Sequence, residues 1–218
     1  MKMMKTLLAA AVVAASVPAM AATYQAGDIM VKAGAITVQP TNDATDIGAS
    51  FVEISNNTQL GITGTYMFHS KWGVEVLAAT PFEHNINLSS DLPVAALGAT
   101  VPKGTNVAST KHLPPTVSMQ FYPLGDQESS VQPYVGLGIN YTTFFSEEGV
   151  ANPTLKDSWG LAYSAGVNVH FSDNWMANVA VWKMDIDTKI EKSPVAEVVG
   201  QNVTIDPTVF LVGVGYKF

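Results

Sequence analysis

The sequence predicts an all-β protein: an eight-stranded antiparallel transmembrane β-barrel with short periplasmic turns and longer extracellular loops. Three observations carry this. After residue 26 most of the chain alternates apolar and polar residues with a period of two, the period of strands. Only 13% of the residues are charged against 47% apolar, where soluble domains carry about a quarter charged. The apolar face is the continuous one in every alternating segment, and it ends in aromatics.

Residues 1–21 read as a signal peptide. Met1-Lys2-Met3-Met4-Lys5 is cationic, and Thr6 to Val17 is apolar but too short to span as a helix. Pro18 ends that stretch, and Ala19-Met20-Ala21 offers a small-x-small cleavage site. The mature domain is then 22–218, and its even strand number returns both termini to the periplasmic end. Eight segments alternate. Ile29, Val31, Ala33 and Ala35 oppose Met30, Lys32, Gly34 and Ile36. Leu60, Ile62, Tyr66 and Phe68 form the apolar face of the second, and Trp72, Val74, Val76 and Ala78 that of the third. Val117, Met119 and Phe121 follow, then Val135, Leu137, Ile139 and Tyr141, then Leu161, Tyr163, Ala165, Val167 and Val169. Trp175, Val179 and Val181 mark the seventh, and Phe210, Val212, Val214, Tyr216 and Phe218 the last. Three connections are compact: His69-Ser70-Lys71, Pro123 to Ser130, and Ser172-Asp173-Asn174. Four are long: Pro40 to Asn57, Asn85 to Asn106, Phe145 to Lys156, and Glu191 to Gly200. Sixteen strands of about 12 residues would leave no chain for loops, so a large porin is excluded.

Alternation alone does not choose which face meets water. Eight strands of Phe, Tyr, Val, Leu and Trp pointed inward, as in a lipocalin-like barrel, would overfill a lumen just wide enough for side chains. Pointed outward they form a lipid-facing band, with Trp72, Trp159, Trp175, Tyr216 and Phe218 as interfacial girdles. The expected location is the outer membrane of a Gram-negative bacterium, in contact with its lipid and lipopolysaccharide. A closed barrel has no free edges, so a monomer is expected. A net charge of −7 with no Arg excludes a nucleic-acid binder. The absence of Cys removes disulfides and thiolate sites.

Several stretches resemble the outer-membrane protein W (OmpW) family: Asn56-Asn57-Thr58-Gln59-Leu60-Gly61, Val74 to Phe82, His112-Leu113-Pro114-Pro115-Thr116, and Pro133-Tyr134-Val135-Gly136. Gly138 to Phe145, Lys156-Asp157-Ser158-Trp159-Gly160, and Trp182 with Met184-Asp185-Ile186-Asp187-Thr188 extend the resemblance over the mature chain. It implies an eight-stranded barrel with a narrow, partly hydrophobic channel associated with uptake of small hydrophobic molecules. The terminal Phe218 resembles the C-terminal aromatic signal read by barrel-assembly machinery. The Asn85 to Asn106 loop matches much less well.

Strand direction ranks the inward residues by height. Lys32, Glu75, Ser118, Gln120, Asn168, Asn178 and Lys217 fall in the lower half, with Lys32 and Lys217 expected to pair with Glu75. Ile36, Leu77, Pro81, Trp182, Met184, Val209 and Leu211 fall in the upper half. An apolar mouth above a polar floor suits a small hydrophobic ligand, and Leu77 with Trp182 are the candidate constriction. Pro81, Pro114 and Pro115 lie in the upper part of strands three and four, where missing ladder donors would leave a lateral gap. The alternative is a structural or surface-recognition barrel with a closed lumen.

The four His show no metal-ligand spacing. His84 and His112 are expected at the outer rim as polar groups, although a pair across strands three and four is conceivable. No nucleophile elbow, phosphate loop or dinucleotide fingerprint is present, so neither catalysis nor a cofactor is expected.

Overall fold

A computed structural model describes residues 20–41, 52–88, 91–94, 99–149, 154–192, 199–200 and 202–218. Of the expected leader, only Met20 and Ala21 fall within these residues. The strands in chain order are β1 (Ile29–Gln39), β2 (Val52–Ile54), β3 (Asn57–His69), β4 (Trp72–Ala79), β5 (Phe82–Leu88), β6 (Leu92–Val94), β7 (Ala99–Val101) and β8 (Asn106–Leu113). They continue as β9 (Thr116–Phe121), β10 (Val131–Gly149), β11 (Thr154–Leu155), β12 (Ser158–His170), β13 (Trp175–Met184), β14 (Asp187–Lys192), β15 (Asn202–Thr204) and β16 (Thr208–Lys217).

Eight of these close a ring in the order β1, β3, β4, β9, β10, β12, β13, β16 and back to β1. Every neighbouring pair is antiparallel, and the ring closes where Met30 faces Lys217 and Gln39 faces Thr208. Closure removes every sheet edge from the wall, as a spanning β-structure requires. The alternation has the orientation expected. Leu60, Ile62, Val76, Val117, Leu137, Ile139 and Leu161 face outward and are exposed, while Met30, Lys32, Glu75 and Gln120 face inward and are buried. Each outward side chain of this kind costs about 1.5–3 kcal/mol left in water, so the band requires hydrocarbon around it. Aromatic clusters border it. Trp72 lies tilted at 4.7 Å from Phe121, and Trp175, Tyr216 and Phe218 form a second periplasmic group. Tyr141 lies 4.7 Å from Trp159 at the outer border.

At mid-height Gly34 faces Gly213 on one side and Gly61 on the other. A Cβ on Gly34 would lie 2.2 Å from the Val212 carbonyl oxygen. Only glycine lets β1 and β16 approach this closely, which tightens the local coil of the wall.

Above the ring the strands continue in two half-sheets. One runs β2–β5–β8 and onto the upper part of β10; the other is β11–β14–β15. The loops therefore begin later than the sequence suggests. Asn85 belongs to β5, which runs to Leu88; a small β6–β7 hairpin follows; and Phe145 lies inside β10. These extensions stand beyond the lipid band, so their outward residues are Glu83, Asn85 and Lys111 rather than apolar ones. That polarity hides the strand period in the sequence.

Candidate functional site: the barrel lumen

The lumen is layered. At its lower end the Lys32 ammonium lies 2.7 Å from Glu75 Oε2, with both side chains buried. Thr65 Oγ1 donates to the same oxygen at 3.3 Å, and the ammonium sits 4.8 Å from the Tyr134 ring centre. A charge removed from water needs such partners, because an unpaired one costs several kcal/mol. Lys217 does not join this pair. It stands half-buried at the barrel end, donating to the Thr23 carbonyl at 2.9 Å with Asp28 at 3.9 Å. Its side chain turns toward Thr23 and Asp28 at the periplasmic end and not toward Glu75.

The floor is aromatic as well as polar. Tyr24, Tyr122 and Tyr134 are buried with successive ring centres 5.1 Å apart. Asn168 donates to the Tyr24 hydroxyl at 3.0 Å, Asn178 to the Tyr134 hydroxyl at 3.1 Å and to Asn168 Oδ1 at 2.8 Å. Tyr122 donates to Gln120 Oε1 at 2.6 Å. Tyr24 comes from the segment before β1, which folds across the periplasmic end. The Tyr24 amide donates to Gly125 O at 2.7 Å, Gln132 Nε2 donates to Ala22 O at 2.9 Å, and Tyr24 Oη lies 3.0 Å from His170 Nε2. Tyr122 and Tyr134 share the inward parity of Gln120 and Gly136, so the sequence held that signal; nothing in the alternation points to Tyr24.

The apolar residues that the sequence places in the upper lumen lie among buried Thr63, Thr116, Asn140, Thr142 and Ser164. Ile36, Leu77, Trp182, Met184, Val209 and Leu211 are all buried and belong to one packed cluster that runs from Tyr24, Tyr122 and Tyr134 of the floor to Val38, Phe82, Phe144 and Ile186. Leu77 lies opposite Thr63 and Thr116, and Trp182 opposite Ser164 and Val209. Thr63 Oγ1, Ser164 Oγ and Trp182 Nε1 are buried in this belt without hydrogen-bond partners. Pro81 is not among the lumen residues. It is exposed, because the irregular residues between β4 and β5 turn its ring away from the axis.

The wall is interrupted beside this cluster. The β4–β9 ladder ends with Leu77 opposite Thr116, and the β5–β8 ladder begins with Phe82 opposite His112. Residues 78–81 and 113–115 thus do not pair with each other, although Ala78 and Ala79 still pair with β3 and Leu113 with Thr143 of β10. Pro81, Pro114 and Pro115 have no N–H to offer there. The carbonyls left over are answered from β10: Asn140 Nδ2 donates to Pro114 O at 3.1 Å and to Thr116 Oγ1 at 2.9 Å, and the Tyr141 amide donates to Pro115 O at 3.0 Å. Asn140 was unmarked in the sequence because its role depends on the register between β10 and β9.

Just above the break His84 and His112 do form a pair. They are buried and not rim groups, because diagonal neighbours on β5 and β8 share the inward face. Their rings stack 4.9 Å apart at 22°, flanked by Phe82 and Phe144. Burial, with His84 beside it, pushes the His112 imidazole down to about 3; burial lowers His84 also, against the pull of its hydrogen bond to the Ser55 carbonyl.

The OmpW family profile matches residues 25–218. Outer membrane protein W of Escherichia coli K12 is 40% identical over 99% of this chain and 100% of that protein. The crystal structure of OprG, an outer membrane protein of Pseudomonas aeruginosa, is 40% identical and superposes with a TM-score of 0.73, covering 90% of this chain and 98% of that one. The Dibenzothiophene metabolism operon protein PahQ of Pseudomonas aeruginosa is 24% identical over 76% of this chain and 74% of that protein. A closed barrel with an outward apolar band, matched along its length to outer membrane proteins, is a protein of the outer membrane, and this chain belongs to the OmpW family.

Proposed function

We propose that the barrel takes up small hydrophobic molecules at its extracellular end and releases them sideways into the bilayer between β4–β5 and β8–β9. The observation that carries this reading is the break beside Ala78–Pro81 and Leu113–Pro115, next to the buried Leu77 and above the buried tyrosines and the Lys32–Glu75 pair. A hydrophobic solute gains nothing by crossing the Lys32–Glu75 layer, whose groups would lose their partners. Hydrocarbon lies a single strand's thickness away. The name of PahQ, tied to metabolism of an aromatic sulfur heterocycle, is in keeping with such cargo.

The chain contains no Cys, so a cross-link can be placed cleanly. Cys at Ala79 and Leu113, bridged by a short bismaleimide, should abolish uptake of an apolar probe into proteoliposomes whose outer leaflet carries lipopolysaccharide. Undiminished uptake in the bridged protein would rule out the sideways exit. The membership of Leu77, Trp182 and Met184 in one buried cluster with the floor tyrosines also favours a second reading, a barrel shut along its axis that serves as a structural or recognition element. Uptake no faster than in protein-free vesicles would favour it.

A further inference from the structure

The imidazoles of His84 and His112 are left short of partners in a place where neither is solvated. His84 Nδ1 lies 2.5 Å from the Ser55 carbonyl oxygen. A carbonyl only accepts, so Nδ1 carries the proton and Nε2 is a bare acceptor. That Nε2 is buried without a partner, and so is His112 Nδ1. Unanswered buried polar atoms of this kind cost enough to be rare in native structures. Around them the surface is aromatic. Phe82, His84, His112 and Phe144 form a strip of rings on the inner face of the β5–β8–β10 half-sheet, with centres 4.9–6.0 Å apart and planes within 36°. Phe82 and Phe144 share one packed cluster with Met184 and Ile186.

From this juxtaposition we infer a specificity site at the upper lumen: the His84–His112 pair selects small aromatic molecules that carry one neutral hydroxyl group. The inference rests on the uptake reading above and names its substrate class. The stacked rings around His112 offer an aromatic surface against which a further ring packs edge to face. A hydroxyl donates to His84 Nε2 and can accept from His112, so one group answers either nitrogen. Both imidazoles are held neutral by burial, and the nearby Lys111 points outward to Glu83 at 3.6 Å. A carboxylate therefore finds no cation here among the described residues, and an unsubstituted hydrocarbon leaves the nitrogens unanswered.

The test compares 2-naphthol with 2-methylnaphthalene, which differ by a hydroxyl for a methyl, in equilibrium dialysis against the protein in nanodiscs and against empty discs. The expected result is roughly tenfold tighter binding of 2-naphthol, the equivalent of one well-made hydrogen bond. His84→Phe and His112→Phe keep an aromatic ring at each position and should each reduce that preference several-fold. In the unaltered protein, nitrogen-15 spectra should show the His84 Nε2 resonance moving on addition of 2-naphthol and not of 2-methylnaphthalene, which tests the contact even if a variant fails to fold. Equal affinity for the two probes, a preference that survives both substitutions, or unmoved imidazole resonances would overturn the inference while leaving hydrophobic uptake standing. Binding of neither probe above empty discs would overturn both.

Discussion

Replacing Glu75 by Gln leaves the Lys32 ammonium buried without its counter-charge. The expected loss is about 3–5 kcal/mol, read as a lower midpoint for urea unfolding in detergent micelles. The double substitution Lys32→Met with Glu75→Leu removes both charges and should recover most of that loss. A Glu75→Gln barrel as stable as the parent would mean that water reaches the pair. At this scale the sequence was half legible. A lone inward Lys and a lone inward Glu on neighbouring walls can be matched on parity alone, as Lys32 and Glu75 were. Lys217 has the right parity and the wrong height, and height depends on where the strand meets the end of the barrel. The tyrosine floor shows the same division: Tyr122 and Tyr134 follow parity, while Tyr24 enters from a segment with no period.

Among the elements, the break between β4–β5 and β8–β9 is held by Asn140. Asn140→Ala should free the Pro114 and Thr116 acceptors at a cost of about 1–3 kcal/mol, seen as faster amide exchange at Leu113 and Thr116 with little change at β13 or β16. Unchanged exchange there would mean that the prolines alone hold the break rigid. The half-sheet above it should respond to acid. An imidazole pushed down in the folded state favours folding at high pH, and that contribution falls as pH drops from about 6.5, where the unfolded ring protonates, toward about 3, where His112 protonates in place. The charged neighbours Glu83 and Lys111 lie on the opposite, outer face. Tryptic cleavage after Lys111, measured at neutral pH after brief acid exposure, is therefore expected to rise with acidification, and to do so less in His112→Phe. The prolines were readable as a weak point because a missing donor is a property of the residue itself. The histidine stack was not, because it needed the offset between Leu77–Thr116 and Phe82–His112.

For the whole molecule, conductance asks whether the lumen passes ions. Leu77→Ala with Trp182→Ala removes both side chains of the proposed constriction, and single-channel current in planar bilayers should rise. Current unchanged by that pair but raised by Tyr24→Ala would put the barrier in the floor. The barrel and its orientation were legible from period and composition together: eight alternating runs, few charges, aromatics at the ends of the apolar face. The extracellular extensions were less so, since strands that leave lipid lose the apolar face that marks them.

Seven of the eight wall contacts join strands that are consecutive among the eight of the wall, but the pairing of β1 with β16 joins its first strand to its last. A nascent polypeptide lacking its final ten residues is an open curl with two unsatisfied rims. Escort of the unfolded precursor must therefore last until translation has finished, and ribosome stalling late in the message should yield a product destined for proteolysis and not for insertion.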